Sequence, residues 1–95
     1  MAAQSPTAAV TVVIPHYGDA APTLALVDRL LSDPGDALAA VVVSDDASPT
    51  PYPEAHDPRL TVVRRERNGG FGANVNTGLA AVTTELALVL NSDAE

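Results

Sequence analysis

The sequence predicts an α/β protein, an open parallel sheet with flanking helices, and three observations support this. Apolar, β-branched runs alternate with helix-periodic segments in the order strand, helix, strand, loop, strand, helix, strand. The apolar content of 46 % is mostly Ala, Val and Leu, while aromatic residues make up only 3 %. Small, stiff apolar side chains are typical of helices packed on a parallel sheet. The alternation itself implies parallel strands joined by right-handed crossovers.

The length of 95 residues allows one small domain. Residues 1–9 are expected to form a flexible tail and residues 10–95 the domain. The start of the chain has neither a basic segment nor an apolar core segment, so a secretory signal is not expected. No apolar run approaches the length of a membrane span, and the expected compartment is the cytoplasm. Because the chain has no Cys, it has neither a disulfide framework nor a thiolate metal site.

The charge balance argues against nucleic acid as a partner, because the formal net charge is −7 and the sequence pI is about 4.4. All five basic residues are Arg. Three of them, Arg64, Arg65 and Arg67, lie within four positions. We interpret this cluster as a solvated strand end, with Arg67 as the candidate contact for a small anionic ligand.

The first half of the domain is predicted from local patterns. Residues 10–14 are β-branched and favour a strand, which ends at Pro15 because proline cannot donate to a sheet ladder. Pro22 suits the first turn of a helix. Leu and Val recur at helical spacing from 24 to 31. The Asp-Pro-Gly-Asp segment at 33–36 stops that helix.

The second half continues the alternation. Residues 38–43 predict a second buried strand, and residues 49–58, with four prolines, predict a loop. Residues 60–63 predict a third, short strand. A glycine turn then leads into a second helix, marked by apolar residues at 73, 75, 79 and 82 and expected to end at about 84. The last strand, 86–90, is a continuous apolar run typical of a buried parallel strand. If nothing packs against it, an open sheet edge with exposed apolar surface is expected.

Polar residues follow three of these strands: 15–17 after the first, Asp45 and Asp46 after the second, and 91–93 after the fourth. If the first and fourth strands are neighbours, a crevice opens at the switch point of the sheet. Asp46 would then line one wall and Asp93 the other. A carboxylate just past a strand can hold a hard divalent cation, which in turn can hold a phosphate.

Four segments carry a resemblance to a known family. They are distributed along nearly the whole chain after the tail, and they read V-T-V-V-I-P-H-Y-G at 10–18, V-V-V-S-D-D-A-S at 41–48, R-N-G-G-F-G-A-N-V-N-T-G-L at 67–79 and L-V-L-N-S-D-A-E at 88–95. In this order and spacing they resemble the amino-terminal half of a family 2 glycosyltransferase with the GT-A fold. The third segment is most similar to the branch that includes rhamnosyl- and galactofuranosyltransferases. The resemblance implies a nucleotide-sugar-binding half, Rossmann-like and truncated after the fourth strand.

The resemblance assigns roles on the base side of this site. Pro15 and Tyr17 match the loop that packs under the nucleotide base and ribose. Asp46 matches the carboxylate that accepts the imide N–H of the base, and Asp45 supports either the turn or the ribose. A fixed carboxylate recognises such a donor through a charge-assisted hydrogen bond.

On the phosphate side, Asp93 matches the last residue of the family's D-x-D motif, which ligates Mg²⁺ or Mn²⁺ at the diphosphate. Asn91 stands at the first position of that motif, where the family has Asp. In a protein with net charge −7, the diphosphate needs such a cation. Arg67 and Gly70, beside a helix start, are expected to add donors.

The implied activity is transfer of a sugar from a UDP-, dTDP- or GDP-linked donor to a hydroxyl of a glycan or lipid-linked glycan, with inversion. This activity belongs to cell-wall or polysaccharide biosynthesis. The catalytic base is expected beyond Glu95, so no catalytic residue is assigned and the chain alone is expected to be inactive. The resemblance also allows peripheral association of the full-length parent with the inner face of the membrane.

Other interpretations stay open at this point. The chain is alternatively a non-catalytic nucleotide-binding or interaction module. A flavodoxin-like, Mg²⁺-dependent phosphoryl domain is a weaker alternative, because the chain has no Lys and its first strand ends in Pro-His-Tyr. Each feature also has a plainer interpretation when it is taken alone. The Asp45–Asp46 pair is typical of an exposed turn, and the glycines at 69, 70 and 72 are typical of a plain turn. Residues 91–93 are typical of a helix cap.

Overall fold

The computed structural model describes residues 9–32 and 37–92, and the structural statements that follow concern those residues. Four strands and two helices alternate along the chain: β1 (Val10–His16), α1 (Ala20–Ser32), β2 (Leu38–Asp45), β3 (Leu60–Arg64), α2 (Phe71–Leu79) and β4 (Leu86–Val89). Three sequence predictions lie outside the described residues: nearly all of the tail, the helix stop at 33–36, and Asp93.

The four strands form one parallel sheet in the order β3-β2-β1-β4. The predicted fold class is therefore confirmed. Val13 of β1 pairs with Val42 of β2 on one side and with Val89 of β4 on the other. Because β1 has its sequence neighbour on one side and the last strand on the other, the sheet has the predicted switch point between β1 and β4.

The core lies where β1 and β2 meet α1. Val27 of α1 is fully buried and packs among the strand residues that face it, which are Val12, Ile14, Val41 and Val43. Tyr52, from the proline-rich loop, joins the same cluster at 6 % exposure. The loop was predicted to be irregular, which it is, but its contribution to the core was not predicted.

Helix α2 is shorter than predicted and faces the sheet differently. It ends at Leu79 rather than near Thr84, and Leu79 is 38 % exposed instead of buried. The buried positions are Asn74 and Gly78, four residues apart. Apolar periodicity missed this face because it consists of a polar residue and a glycine. Neither described helix has the length and hydropathy needed to cross a bilayer.

Strand β4 forms one edge of the described sheet and pairs only with β1. Leu86 and Leu88 are each 50 % exposed, and Val89 is 37 % exposed. Burial of this strand was thus a wrong prediction for the described residues, while an open edge with exposed apolar surface is confirmed. A continuous apolar run shows that a strand is suited to burial, but it does not show that another layer covers it.

Candidate functional site

A cavity of about 390 Å³ opens at the carboxyl ends of the strands, between the β1 and β4 ends and the start of α2. Pro15, Tyr17, Asp46, Gly70 and Asn91, all predicted binding residues, line it. Its volume lies in the range of small-molecule sites. The structure thus brings together five of the seven predicted substrate contacts. The other two do not line the cavity.

Asp46, just past β2, is the most constrained of the lining residues. It is 3 % exposed, and its N–H donates to the His16 carbonyl at 2.9 Å. Its Oδ1 atom accepts from Arg65 Nε at 2.8 Å and from the Gly69 N–H at 3.0 Å, while Oδ2 accepts from the Gly70 N–H at 2.9 Å. Burial alone would raise the pKa of Asp46, but these N–H donors outweigh it and lower the pKa below its ordinary value. The side chain is therefore a fixed, ionised carboxylate.

Asp45, one residue earlier, is fully buried and holds the following turn together. Its Oδ1 accepts from the Ser48 hydroxyl at 2.6 Å and the Ser48 N–H at 3.1 Å. Its Oδ2 accepts from the Tyr52 N–H and from Arg64 Nη1, both at 2.9 Å. Burial acts to raise the pKa of Asp45, yet the Ser48 and Tyr52 donors hold it below its ordinary value. Of the two roles expected for this residue, the geometry is that of turn support.

The arginine cluster was predicted to be a solvated strand end, and that prediction was wrong for Arg65, whose side chain is 21 % exposed, while the Arg64 side chain is 43 % exposed. Arg64 and Arg65 pair with Asp45 and Asp46 at 2.9 and 2.8 Å. Arg65 also donates to the Ala73 carbonyl at 3.2 Å and to the Thr77 hydroxyl, which ties it to α2. The parallel register places Arg64 beside Asp45, so two consecutive Asp and two consecutive Arg at neighbouring strand ends were a usable signal. Arg67 is exposed and does not line the cavity.

His16 was predicted to follow the first strand, but it is the last residue of β1 and only 2 % exposed. Its Nδ1 atom hydrogen-bonds the Thr23 hydroxyl of α1 at 2.7 Å, and its ring meets Tyr52 edge to face, with centroids 5.1 Å apart. Its Nε2 atom has no hydrogen-bond partner within the described part of the chain. Burial lowers the pKa of His16, against the opposing attraction of Asp45. The residue is therefore a neutral part of the core beneath the cavity.

Two aromatic rings stand at the mouth of the cavity with little packing of their own. Tyr17 is 57 % exposed and Phe71, the first residue of α2, is 61 % exposed. Phe71 was not predicted as a site residue. The available signal was a single aromatic residue, in a chain poor in them, directly after a glycine turn. Exposed apolar rings beside a cavity are typical of a ligand-binding surface.

Two asparagines also shape the cavity wall. Asn68 donates from Nδ2 to the Asp46 carbonyl at 3.3 Å and was not predicted. Asn74 accepts from the Ser44 hydroxyl at 2.6 Å and donates to the His16 carbonyl at 3.3 Å. It therefore joins α2 to the ends of both central strands.

The metal prediction depends on the end of β4. Among the described residues, no group of three or more His, Asp or Glu side chains converges in a way that would hold a metal ion. Asn91 and Ser92 line the cavity and offer neutral oxygen atoms, and Asp93 follows them outside the described part. Oxygen donors with few carboxylates suit Mg²⁺ or Mn²⁺, which take further ligands from phosphate and water. Asn91 and Ser92 supply such neutral oxygen donors, and the metal ion stays a prediction.

A cavity at the carboxyl ends of parallel strands, beside a switch point, is the ligand-binding arrangement of the open-sheet class of α/β protein. Comparison with known families agrees with this class, because the profile described as "Glycosyl transferase family 2" matches residues 11–95. The chain belongs to glycosyl transferase family 2.

A curated relative was also found. The chain is 32 % identical over 87 residues to "Succinoglycan biosynthesis protein ExoO" of Rhizobium meliloti (strain 1021). The match takes in 88 % of this chain and 25 % of that protein. The chain thus spans about a quarter of the length of the curated relative it matches.

Proposed function

We propose that this chain binds the nucleoside diphosphate of an NDP-sugar, as the donor-binding part of a glycosyltransferase. The observation that carries the proposal is Asp46, a carboxylate held ionised at the wall of the cavity by three N–H donors. A preorganised acceptor of this kind suits the imide N–H of a nucleotide base. Family membership over residues 11–95 supports the same function.

The base and ribose are proposed to lie along the β1 end of the cavity. Pro15 and Tyr17 line that side, and Tyr17 offers an exposed ring for stacking. Asp45 is proposed to act through the turn it holds, since both of its oxygens are already engaged by the protein.

The diphosphate is proposed to lie toward the β4 end and the start of α2. Gly70 precedes that helix, and Asn91 faces the same cavity. A Mg²⁺ or Mn²⁺ ion would be held by Asp93 together with Asn91, and when bound it would neutralise charge on the leaving diphosphate. Arg67 is a proposed contact for phosphate oxygens outside the cavity.

The parent activity is proposed as inverting transfer of the sugar to a hydroxyl of a glycan or lipid-linked glycan at the cytoplasmic face of a membrane. The relative's name refers to the biosynthesis of a polysaccharide. The narrower likeness to rhamnosyl- and galactofuranosyltransferases is part of the same proposal. No residue of this chain is proposed as the catalytic base, so the chain alone is expected to bind the donor and transfer nothing.

Calorimetric titration of the chain with UDP, dTDP and GDP, each with and without Mn²⁺, tests the proposal. We expect binding of at least one nucleotide, strengthened by Mn²⁺, with Asp93→Ala abolishing the Mn²⁺ effect and Asp46→Asn weakening binding about tenfold or more. Asp28→Asn, at an exposed position of α1 away from the cavity, is the matched control and should bind normally.

Absence of binding by every nucleotide would overturn the proposed function. Binding that is indifferent to both Mn²⁺ and Asp93→Ala would favour the non-catalytic nucleotide-binding module. Sugar transfer by the 95-residue chain alone would contradict the expected inactivity.

A further inference from the structure

The Asn68–Gly69 bond, in the glycine turn between β3 and α2, has a chemistry of its own. An asparagine side-chain amide is lost most readily when glycine follows, because glycine has no side chain to obstruct attack by its own backbone nitrogen. Asn68 is the only asparagine of the chain that precedes a glycine. It is exposed and lies outside the helices and strands. The bond is therefore accessible to water.

The reaction needs no partner other than water. The Gly69 backbone nitrogen gives up its proton and attacks the Cγ atom of Asn68, forming a C–N bond. The bond from Cγ to Nδ2 breaks, and Nδ2 takes up a proton and leaves as ammonia. Water then opens the resulting succinimide ring at either of its carbonyl carbons. The product at position 68 is an aspartate, or an isoaspartate in which the main chain runs through the side-chain carbon.

Asp46 holds both nitrogens that take part in this reaction. The Gly69 N–H, the nucleophile, donates to Asp46 Oδ1 at 3.0 Å, and Asn68 Nδ2, the leaving group, donates to the Asp46 carbonyl at 3.3 Å. The Gly70 N–H donates to Oδ2 at 2.9 Å. Asp46 is itself fixed, since it is 3 % exposed and paired with Arg65. The glycine turn is thus attached to the end of β2 through both reacting groups.

These hydrogen bonds oppose ring closure. The Gly69 nitrogen must lose the proton that it donates to Asp46, so that hydrogen bond breaks before the new C–N bond forms. The carboxylate is a poor base for this proton, because N–H donors hold the pKa of Asp46 below its ordinary value. The Asn68 amide must also be released from the Asp46 carbonyl for its Cγ atom to approach the Gly69 nitrogen. Local opening of the turn meets both conditions and costs less free energy than global unfolding.

We propose that Asn68 is a deamidation site, and that Asp46 restrains the reaction for as long as the glycine turn stays attached to the end of β2. The modification does not depend on the proposed function. Its effect on ligand binding does, since Asn68 lines the cavity. A carboxylate at this position adds negative charge beside Asp46 and repels a diphosphate. An isoaspartate also lengthens the main chain of the turn that donates to Asp46.

Amide loss is measured by incubating the chain in mildly alkaline buffer, folded and in urea, with peptide mass spectrometry that assigns the change to one asparagine. We expect loss at Asn68 to be about tenfold or more faster in urea than in the folded chain. Asn91, which lines the same cavity but precedes Ser92, is the internal control and should react more slowly than Asn68 in urea. Asn68→Gln should suppress the loss at position 68, since its longer side chain disfavours ring closure.

Asp46→Asn tests the restraint in the folded state. The substitution keeps the size of the side chain but removes the carboxylate, so the folded variant should lose the Asn68 amide faster than the unaltered chain does. Asp28→Asn, at an exposed position of α1, is the matched control and should leave the rate at Asn68 unchanged. If Asp46→Asn does not fold, the rates of the unaltered chain with and without urea still test the restraint.

The outcomes separate the modification from its effect on binding. Equal rates at Asn68 with and without urea would overturn the restraint, and absence of amide loss at Asn68 in urea would overturn the site. Asn68→Asp, which reproduces one product, should bind UDP about fivefold or more weaker by calorimetry. Unchanged affinity in that variant would overturn the effect on binding alone. If the unaltered chain binds no nucleotide, the proposed function fails, while the rates of amide loss still decide the modification.

Discussion

Gly78 of α2 lies so close to Val13 of β1 that a Cβ atom added at Gly78 would come within 2.6 Å of the Val13 Cγ1 atom. Such a separation is below any van der Waals contact between carbon atoms. The helix backbone therefore rests directly on the central strand. This contact sets the distance of α2 from the sheet. It thereby also sets the position of the glycine turn that donates to Asp46.

Gly78→Ala should destabilise the fold by about 1–3 kcal/mol, because the added methyl forces α2 away from Val13. Gly72→Ala is the matched control in the same helix, where an added Cβ has no atom within 4 Å. That control should be neutral or stabilise by about 0.5–1 kcal/mol, since alanine favours a helix over glycine. Urea unfolding of both variants measures the difference, and equal effects would contradict the close packing.

Asp45→Ala should cost about 3 kcal/mol or more, because it leaves the buried N–H groups of Ser48 and Tyr52 without an acceptor. Arg64→Ala should cost about 1 kcal/mol or less, since the Arg64 side chain is 43 % exposed and its ion pair is screened by solvent. Denaturant midpoints of the two variants give the comparison. If Arg64→Ala lost as much stability as Asp45→Ala, the contribution of Asp45 would come from its ion pair with Arg64 and not from its hydrogen bonds to the turn.

The stability of the fold should fall as pH drops below about 6.5, the ordinary pKa of histidine. The pKa of buried His16 is lowered in the folded state, so just below that pH the unfolded chain binds a proton that the folded chain does not. Stability therefore rises with pH in this window and is fully present above it. Asp45 and Asp19 are the carboxylates that attract the imidazolium and limit the effect.

Urea unfolding at pH 7.5, 6.5 and 5.5 measures this dependence. His16→Gln should flatten the slope between these pH values, while His56→Gln, at the exposed second histidine, should leave it unchanged. If His56→Gln flattened the slope of stability against pH and His16→Gln did not, the result would be inconsistent with a neutral, buried imidazole in β1.

Phe71→Ala should weaken nucleotide binding about 5- to 100-fold without loss of stability, because the ring is 61 % exposed and stands at the cavity mouth. Leu79→Ala, a truncation of another exposed apolar side chain on the same helix but away from the cavity, is the control. Calorimetry with UDP and thermal unfolding separate affinity from stability. Loss of stability in Phe71→Ala, with unchanged affinity, would assign the ring to packing.

The order of the elements was predictable because buried parallel strands are recognisable as short apolar runs. The pairing of β1 with β4 was predictable because the alternation of strands and helices restricts the topology of the sheet. The buried faces were less predictable. Asn74 and Gly78 carry no apolar signal, yet they form the buried side of α2, because close approach to β1 favours a glycine and a satisfied amide.

The lining residues Pro15, Tyr17 and Asp46 were predictable, since strand ends of a parallel sheet meet at one edge. The ion pair between Asp46 and Arg65 was not predictable, because the arginine cluster was interpreted from its own strand alone as solvated. Phe71 was not predicted as a site residue for a related reason. An exposed aromatic residue at a helix start has no periodic signature, and its position at the cavity mouth emerges only from the three-dimensional arrangement.

The two adjacent aspartates at the end of β2 accept hydrogen bonds from different segments. Asp45 accepts from the turn at Ser48, and Asp46 accepts from the glycine turn before α2. Successive side chains of an extended strand point to opposite faces. Deleting one residue in β2 would therefore put Asp46 in the place of Asp45 and Ala47 at the cavity wall, whereas inserting one would put Asp45 at the cavity wall and Ser44 in the turn. Evolution of this strand is thus constrained in its phase as well as in its composition, and length changes are expected to be tolerated only in the loops that flank it.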